Sequence, residues 1–371
     1  MNHCHDIERS IMSVVLLHAA QSLTKKNFFL HSMIVFFLSS GWVIGVFPIA
    51  GATEEYALEV PLGLDEDSLV IPKDNPLTKE KVELGKLLFF DKRLSRNNTI
   101  ACASCHMPAL AFTDGQSVST GIHRQQGGRS APSAINRVFS SAQFWDGRAV
   151  TLEEQSVAPF VNPVEHGFAD HNELIAKLST IEGYKPLFEQ AFGTRTITIG
   201  LVGKAIASFE RTLLSGNSAY DQFGGEGKDD SLSARAQNGL RLFLVKAQCL
   251  RCHFGNNFTD ENFHNLGIDW NTDHVDLGRY HVTKNPKDLG AFKTPTLREI
   301  SRTAPYMHNG RFGTLAEVVD FYNQGGIKNP YLDPVIKPLN LTDQEKEDLV
   351  EFLQSLSGEG WQVEPPRKFP N

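Results

Sequence analysis

Two short stretches of the chain repeat one pattern, in which two cysteines stand three positions apart and a histidine follows the second directly. The pattern occurs at residues 102–106 and at residues 249–253. The two sulfurs of such a stretch can bond the two vinyl groups of one porphyrin, while the histidine binds the iron. The pattern therefore predicts two covalent c-type haems. The predicted attachment residues are Cys102, Cys105, Cys249 and Cys252, and the predicted iron ligands are His106 and His253.

Chance, a zinc site and a disulfide redox pair are the alternatives to haem attachment. With five cysteines and thirteen histidines in the chain, chance repetition of the whole pattern is negligible. A zinc site could recruit both cysteine pairs, but a four-cysteine site gives no role to the histidine that follows each pair. The fifth cysteine, Cys4, lies near the N terminus, so the sequence offers no disulfide framework.

Each motif follows a segment with the apolar periodicity of a helix, at residues 78–90 and 233–246. Both segments contain the pattern Gly-x-x-Leu-Phe, at residues 85–89 and 239–243, which indicates a weak internal duplication. Strand signals are sparse along the chain. We expect a mainly α protein with two cytochrome c-like lobes, each with one covalent haem, and with long loops.

Other helices and a boundary can be placed from the same patterns. Helical periodicity covers residues 172–192 and 197–214, and the polar, glycine-rich residues 224–230 are typical of a linker. Thr342 and Glu345 form a predicted capping box before the last helix, with Gly358 as its stop. The 371 residues suit two lobes of ordinary size. We predict an N-terminal lobe over residues 53–222 and a C-terminal lobe over residues 223–371.

The first 52 residues have the features of a targeting segment. Two lysines at positions 25 and 26 precede an apolar run over residues 28–49, and Ala-Gly-Ala follows at residues 50–52. This order predicts a secretory signal peptide, while the length of the run also allows an uncleaved membrane anchor. Either prediction places the rest of the chain outside the cytoplasm, in the periplasm of a Gram-negative source. The net charge of -7 argues against a nucleic-acid partner.

Several further segments resemble the di-haem cytochrome c peroxidase and MauG family. The similarity extends over nearly all of residues 60–357 and is carried by six segments. These are residues 84–95, Gln143-Phe144-Trp145-Asp146-Gly147-Arg148-Ala149, Leu152-Glu153-Glu154-Gln155, Asn162-Pro163-Val164-Glu165, Lys293-Thr294-Pro295-Thr296-Leu297-Arg298 and Thr303-Ala304-Pro305-Tyr306.

The resemblance implies a role for particular residues. His106 corresponds to the proximal ligand of the peroxidatic haem, and His253 to that of the electron-transfer haem. Trp145 resembles the tryptophan that lies between the two haems of the family. Glu165, twenty residues later, matches the distal glutamate, which takes a proton from bound peroxide and returns it to the leaving oxygen. A core aromatic residue and a surface charge are the alternatives for Trp145 and Glu165.

Tyr322 stands where the peroxidases of the family carry a methionine as second ligand of the C-terminal haem, and MauG has tyrosine there. A thioether favours Fe(II), whereas a phenolate oxygen donates charge and favours Fe(III). The resemblance therefore implies Tyr322 as an iron ligand and favours a MauG-like function. A buried tyrosine with a hydrogen-bonded hydroxyl is the alternative.

Three further features of the family have less distinct counterparts. His123 lies one residue out of register with a histidine that caps the peroxidatic iron on a mobile loop, and an exposed loop histidine is the alternative. His166 replaces a methionine that follows the glutamate in the peroxidases, and its role is open. The family's interlobe Ca²⁺ would be held by carbonyl oxygens of Thr303, Pro305 and Ser130.

Three functions remain after these observations. The first is a peroxidase that reduces hydrogen peroxide with electrons from a small cytochrome c or a cupredoxin. The second is a MauG-like enzyme that oxidises residues of a protein substrate. The third is a non-catalytic di-haem electron-transfer cytochrome, against which Glu165 and Trp145 argue. The sequence leaves open whether the chain forms a homodimer.

Overall fold

The computed structural model describes residues 55–225, 228 and 230–371, so the leader over residues 1–52 and part of the linker lie outside the described residues. The described chain is rich in helix, and its one ladder of named strands pairs β1 with β2 antiparallel. The prediction of a mainly α protein is confirmed. The helices are α1 (Lys79–Phe90), α2 (Cys102–Cys105), α3 (Leu152–Val157), α4 (His171–Ser179), α5 (Tyr184–Phe192), α6 (Ile199–Glu210), α7 (Ala219–Gly225), α8 (Ala234–Leu244), α9 (Tyr280–Thr283), α10 (Leu315–Asn323) and α11 (Asp343–Gln354), and the strands are β1 (Phe263–His264) and β2 (Phe292–Lys293).

Short 3-10 turns and long irregular segments connect these helices. None of the helices in the described ranges is long and apolar enough to cross a membrane. The 3-10 turns are Glu66–Ser68, Lys92–Leu94, Pro108–Leu110, Ile122–Arg124, Arg137–Phe139, Ala158–Val161, Cys249–Arg251, Pro286–Asp288 and Ile300–Arg302.

The helices before the two haem motifs form where the sequence predicts them. The Thr78 hydroxyl accepts a hydrogen bond from the Lys81 N–H and begins α1, and the Ser233 hydroxyl accepts from the Ala236 N–H and begins α8. Helix α8 ends at Leu244, two residues before the predicted end. The predicted capping box at the start of α11 is also present.

One predicted helix, over residues 172–192, is two helices in the structure. Helix α4 ends at Ser179, and α5 begins at Tyr184 after a short turn. Leu174 and Leu178 of α4 pack in the same hydrophobic core as Tyr184 and Phe188 of α5. The apolar periodicity therefore continues across the turn, because both helices cover one core and the sequence pattern alone does not reveal the break.

Two separate hydrophobic cores lie in the described chain. The first is built from residues between Leu84 and Leu213 together with Trp361, and the second from residues between Leu242 and Leu356. Trp361 meets the ring of Phe112 edge to face at 6.4 Å between centroids. The last residues of the chain therefore return to the first core, although they follow the second in sequence.

Buried polar contacts join the surroundings of the two cores. Arg298 forms an ion pair of 2.5 Å with Asp221, and both side chains are almost completely buried. Ser215 donates its hydroxyl hydrogen to Glu299 at 2.6 Å, and its backbone N–H donates to Asn136 at 2.8 Å. Breaking a buried pair on one side leaves an uncompensated charge, so the ion pair fixes Asp221 beside the second core. Ser215 lies two residues after Leu213 of the first core, and Glu299 lies two residues after Leu297 of the second, so their hydrogen bond links the two cores.

The structure repeats one architecture around the two motifs. Helix α1 crosses α6 so closely that a Cβ atom added to Gly85 would lie 1.9 Å from the carbonyl oxygen of Ala205. Helix α8 crosses α11 in the same way, with 2.0 Å from an added Cβ of Gly239 to the carbonyl oxygen of Asp348. The glycines of the repeated Gly-x-x-Leu-Phe pattern thus permit two equivalent helix crossings.

The segment over residues 130–159 recurs at residues 293–322 without insertion or deletion. Thr151 and Thr314 cap α3 and α10 with equivalent capping boxes. Before each helix the chain makes the same turn, with antiparallel bridges between Gln143 and Ala149 and between Tyr306 and Phe312. Each residue of the segment 130–159 therefore has an equivalent residue in the segment 293–322.

Candidate haem sites

The histidines of the two motifs have the same hydrogen bond on one ring nitrogen. His106 Nδ1 lies 3.0 Å from the carbonyl oxygen of Phe112, and His253 Nδ1 lies 2.9 Å from that of Phe258. A carbonyl oxygen only accepts, so Nδ1 of each ring carries the hydrogen and Nε2 keeps its lone pair. Burial lowers the pKa of both histidines and favours this neutral form. Each histidine is therefore prepared to bind a metal through Nε2.

A large cavity of about 430 Å³ lies beside the second motif. Cys249, Cys252 and His253 line it, together with Tyr322 of α10 and many apolar side chains. A cavity of this size with both sulfurs, a free imidazole nitrogen and apolar walls suits a porphyrin, so the residues present fit a covalent haem. Trp145, which belongs to the first half of the chain, lines the same cavity.

The hydroxyl of Tyr322 has no hydrogen-bond partner among the described residues. The buried hydroxyls of Tyr184 and Tyr306 do have partners, at 2.7 Å from Asp91 and 2.9 Å from the Ile300 carbonyl oxygen. Burial raises the pKa of Tyr322. An unpaired phenol that lines the larger cavity is available as a ligand for a group bound there.

A smaller cavity of about 40 Å³ lies beside the first motif. Since this volume is far below that of a porphyrin, the fit of a haem here depends on the donor atoms and on the similarity to the second site. The lining side chains include Cys102, Cys105, His106, Gln155, Ser156, Pro159, Glu165, His166, Ile206 and Glu210.

The repeated architecture relates the walls of the two cavities residue by residue. The helix crossings and capping boxes make Ile206 equivalent to Leu349, Glu210 to Leu353, Gln155 to Val318, Ser156 to Val319 and Pro159 to Tyr322. All ten of these residues line their own cavity. The second site carries a phenol where the first carries a proline, whose side chain offers no ligand atom. The two sites therefore differ in their capacity for a second iron ligand.

Glu165 lines the first cavity. Its Oε1 accepts a hydrogen bond of 2.7 Å from the Asn162 amide. Burial raises the pKa of the Glu165 carboxyl, while Arg148 and the Asn162 hydrogen bond act in the opposite direction. A carboxyl group with a raised pKa at the wall of a cavity is suited to accept and return a proton.

Hydrogen bonds with residues from both halves of the chain fix the position of Trp145. Its indole N–H donates to the carbonyl oxygen of Ser130 at 2.9 Å, and its own carbonyl oxygen accepts from the Lys293 N–H at 2.8 Å. Lys293 begins the repeated segment of the second half. The indole is thereby fixed at the wall of the larger cavity, a placement that suits an electron relay.

The structure assigns different surroundings to His166 and His123. His166 is 3% exposed, its Nδ1 donates to the Leu94 carbonyl oxygen at 2.7 Å, and its ring meets Phe160 edge to face. Burial lowers the pKa of His166 to about 4, so the ring is neutral and packed at the edge of the first cavity. His123 is exposed and lines neither cavity, although the neighbouring Ile122 N–H donates to the carbonyl oxygen of Glu165 at 3.1 Å.

The residues named for calcium come together at the larger cavity. Thr303, Pro305 and Ser130 all line it. No hydrogen bond to the carbonyl oxygens of Thr303 and Pro305 is found among the described residues, and that of Ser130 accepts from Trp145. Carbonyl oxygens are suitable ligands for Ca²⁺, so the placement is compatible with the predicted ion.

Two titratable residues at the cavities were not found from the sequence. His264 lines the larger cavity between Asp333, 2.6 Å from Nδ1, and Asp260, 2.8 Å from Nε2. Glu210 lines the smaller cavity at the end of α6. A carboxyl group at the end of a largely apolar helix, directly after Phe209, was the only sequence signal for Glu210.

Comparisons with known proteins agree with this geometry. A family model described as di-haem cytochrome c peroxidase matches residues 79–230. The methylamine utilization protein MauG of Methylophilus methylotrophus is 40% identical over 304 residues, which are 81% of this chain and 89% of that protein. The cytochrome c551 peroxidase of Nitrosomonas europaea is 34% identical over 298 residues, 80% of this chain and 84% of that protein. A crystal structure of a MauG-like protein associated with microbial copper homeostasis has a TM-score of 0.76 at 33% identity and covers 84% of this chain and 98% of that one.

Proposed function

The chain belongs to the di-haem cytochrome c peroxidase and MauG family, and we propose that it reduces hydrogen peroxide at the first haem site with electrons from a small redox protein. The observation that carries this proposal is the difference between the two equivalent cavities. Pro159 and the carboxyl group of Glu165 line the first, whereas Tyr322 lines the second. A peroxidase needs one iron with an accessible face and an acid–base group beside it.

The side chains of the two motifs hold the haems in this proposal. Cys102 and Cys105 bind the first, with His106 as its iron ligand, and the equivalent residues of the second motif bind the other. The bound haems supply the iron centres for the electron chemistry. The two hydrophobic cores are evidence for two haem lobes, one built around each core. The boundary between the lobes lies near residue 222, and long connections join their helices.

Glu165 moves a proton between the two oxygens of peroxide. It takes a proton from the oxygen that is to be retained and gives it to the oxygen that leaves, which assists cleavage of the O–O bond. The whole reaction is H₂O₂ + 2e⁻ + 2H⁺ → 2H₂O. Asn162 orients the carboxylate through its hydrogen bond to Oε1, and Trp145 shortens the electron path between the two sites.

An exposed apolar surface around the second motif supports a protein partner. Leu244, Val245, Leu250 and Phe254 are 38%, 62%, 42% and 48% exposed. Leu250 lies in the Cys249–Arg251 turn, and the other three lie shortly before or after it in the sequence. Exposed apolar residues that cluster beside a redox site are typical of a docking surface. A small cytochrome c or a cupredoxin is the proposed donor. The signal-like leader supports a periplasmic location, and the carbonyl oxygens of Thr303 and Pro305 support a Ca²⁺ ion.

A MauG-like activity on a protein substrate is the second candidate, and the unpaired hydroxyl of Tyr322 favours it. A phenolate ligand stabilises oxidised iron, so an iron at this site would be a poor entry point for electrons from a mild donor. The same site would hold an oxidising equivalent better than one with a thioether ligand.

Haem counting together with peroxide turnover tests the proposed function. We expect the mass of the denatured chain and a pyridine haemochrome assay to show two covalent haems, and the purified protein to oxidise reduced cytochrome c on addition of H₂O₂. A protein with one haem or none would contradict the assignment of the motifs. A protein with two haems that oxidises no donor but reacts with H₂O₂ would favour the MauG-like activity.

A further inference from the structure

We propose that Glu210 is a second proton-carrying carboxyl group of the first haem site, which supplies protons to the cavity that it shares with Glu165. The proposal extends the proposed function, because it concerns the protons that peroxide reduction consumes. Glu210 acts through Glu165 and does not itself meet peroxide.

The position of Glu210 is unusual for a carboxyl group. It is the last residue of α6 and is only 5% exposed. Its Oε2 atom is buried and has no hydrogen-bond partner among the described residues. A buried carboxyl oxygen without a partner costs folding free energy, so packing alone does not explain the residue.

The second haem site shows what the same position looks like without this carboxyl group. Leu353 is equivalent to Glu210, and it lines the larger cavity as Glu210 lines the smaller one. Two neighbouring positions are also polar at the first site and apolar at the second, because Gln155 and Ser156 are equivalent to Val318 and Val319. One wall of the cavity is therefore polar at the first site and apolar at the second. Covalent haem binding as such does not require a carboxyl group there.

The charges around Glu210 allow it to hold a proton near neutral pH. Burial raises the pKa of the Glu210 carboxyl to about 8. The positive charges of Arg137 and Arg211 act in the opposite direction, because they favour the carboxylate. The negative charge of Glu153 also raises the pKa of Glu210, and Glu153 itself forms an ion pair of 2.7 Å with Arg211. The Ser156 hydroxyl also favours the ionised form. Burial therefore favours the protonated form of Glu210, and a change of charge in the cavity shifts the balance towards release of the proton.

Peroxide reduction consumes protons of the kind that Glu210 can release. Glu165 returns the proton that it takes from peroxide, so the two protons that balance the two electrons must come from elsewhere. Gln155 and Ser156 line the same cavity as Glu210 and Glu165, so a wall with hydrogen-bonding side chains lies beside the two carboxyl groups. Glu210 supplies one of the two protons through this cavity and recovers it from solvent between turnovers. The other enters at Glu165, which is only half-buried.

The test compares the haem-loaded wild type with Glu210→Gln, which keeps the shape but carries no proton, and with Glu165→Gln. Glu182→Gln, on an exposed side chain, is the matched control. We expect the infrared difference spectrum between oxidised and reduced protein to show a protonated carboxyl signal in the wild type, Glu165→Gln and Glu182→Gln. Glu210→Gln should lose the signal and slow peroxide turnover by roughly tenfold, with a changed pH profile.

A Glu210→Gln protein with two haems, a wild-type infrared signal and wild-type turnover from about pH 6 to pH 9 would overturn the proposal. Glu210→Leu copies the second site and repeats the comparison if Glu210→Gln binds no haem. If neither variant binds haem, Glu210 is a folding residue and the proposal is wrong. Absence of peroxide turnover in the wild type would contradict the proposed function instead, while the infrared signal would still decide the assignment of Glu210.

Discussion

The chemistry at the first site depends on a single carboxyl group, Glu165. We predict that Glu165→Gln keeps both haems but lowers peroxide turnover by roughly 10²-fold or more, because an amide cannot carry the proton between the peroxide oxygens. Turnover per haem is the measurement, and Glu182→Gln is the control. Near-normal turnover in a fully loaded Glu165 variant would remove this residue from the reaction.

Tyr322 decides the character of the second site. A thioether favours Fe(II) more than a phenolate does, so we predict that Tyr322→Met raises the potential of one haem and leaves the other unchanged. The variant should also gain the weak near-infrared band of a His/Met haem. Redox titration followed by absorption spectroscopy measures both effects. A wild-type protein that already shows the band, or two unchanged potentials in the variant, would exclude Tyr322 as the ligand.

Sequence patterns place site residues well when a motif fixes their spacing. The two motifs and the segment around Glu165 are local, and the structure brings each of them to a cavity wall. His123 had only an uncertain register, and the structure leaves it exposed outside both cavities. Glu210 could not be predicted, because its position depends on the crossing of α6 over α1, a long-range contact without a local pattern.

At the scale of elements, the fold depends on two close helix crossings. We predict that Gly85→Ala lowers the free energy of unfolding by about 1–3 kcal/mol, because the added Cβ meets a backbone carbonyl oxygen of α6 that cannot move aside. Gly200→Ala in α6 is the matched control, since an added Cβ meets nothing within 4 Å there. It should leave stability unchanged or raise it by up to about 1 kcal/mol. Urea unfolding of both haem-loaded variants provides the comparison, and equal stabilities would contradict the crossing.

The helices themselves could largely be predicted, whereas their breaks could not. Capping residues such as Thr78 and Ser233 are local signals, and the helices begin where these residues stand. The turn between α4 and α5 interrupts a continuous apolar pattern because both helices face one core. Besides the two cysteine–histidine motifs, two Gly-x-x-Leu-Phe patterns indicated the duplication, although most of the equivalent positions carry different residues.

At the scale of the whole molecule, the apolar surface around the second motif should determine how a protein donor binds. We predict that Phe254→Glu raises the KM for a protein donor by roughly tenfold, because it places a charge in an apolar contact. Turnover with a small-molecule donor should not change. Val70→Glu, at a valine that is 54% exposed and lines neither cavity, is the control. Equal effects of both variants would argue against docking at this surface.

The arrangement of the two cores was only partly accessible from the sequence. The spacing of the motifs indicates one core for each, but nothing in the sequence shows that Trp361 returns to the first. The ion pair between Asp221 and Arg298 likewise joins residues that no local pattern connects. Contacts of this kind form between residues that are far apart in the sequence, and the local patterns of a single sequence do not predict them.

The stoichiometry of donor oxidation by hydrogen peroxide is the most direct test of the account. The haem-loaded protein should oxidise two molecules of a reduced one-electron cytochrome c for each molecule of H₂O₂ consumed, as the electron balance of peroxide reduction requires. Donor that stays reduced while a protein with two covalent haems consumes H₂O₂ would contradict the peroxidase assignment.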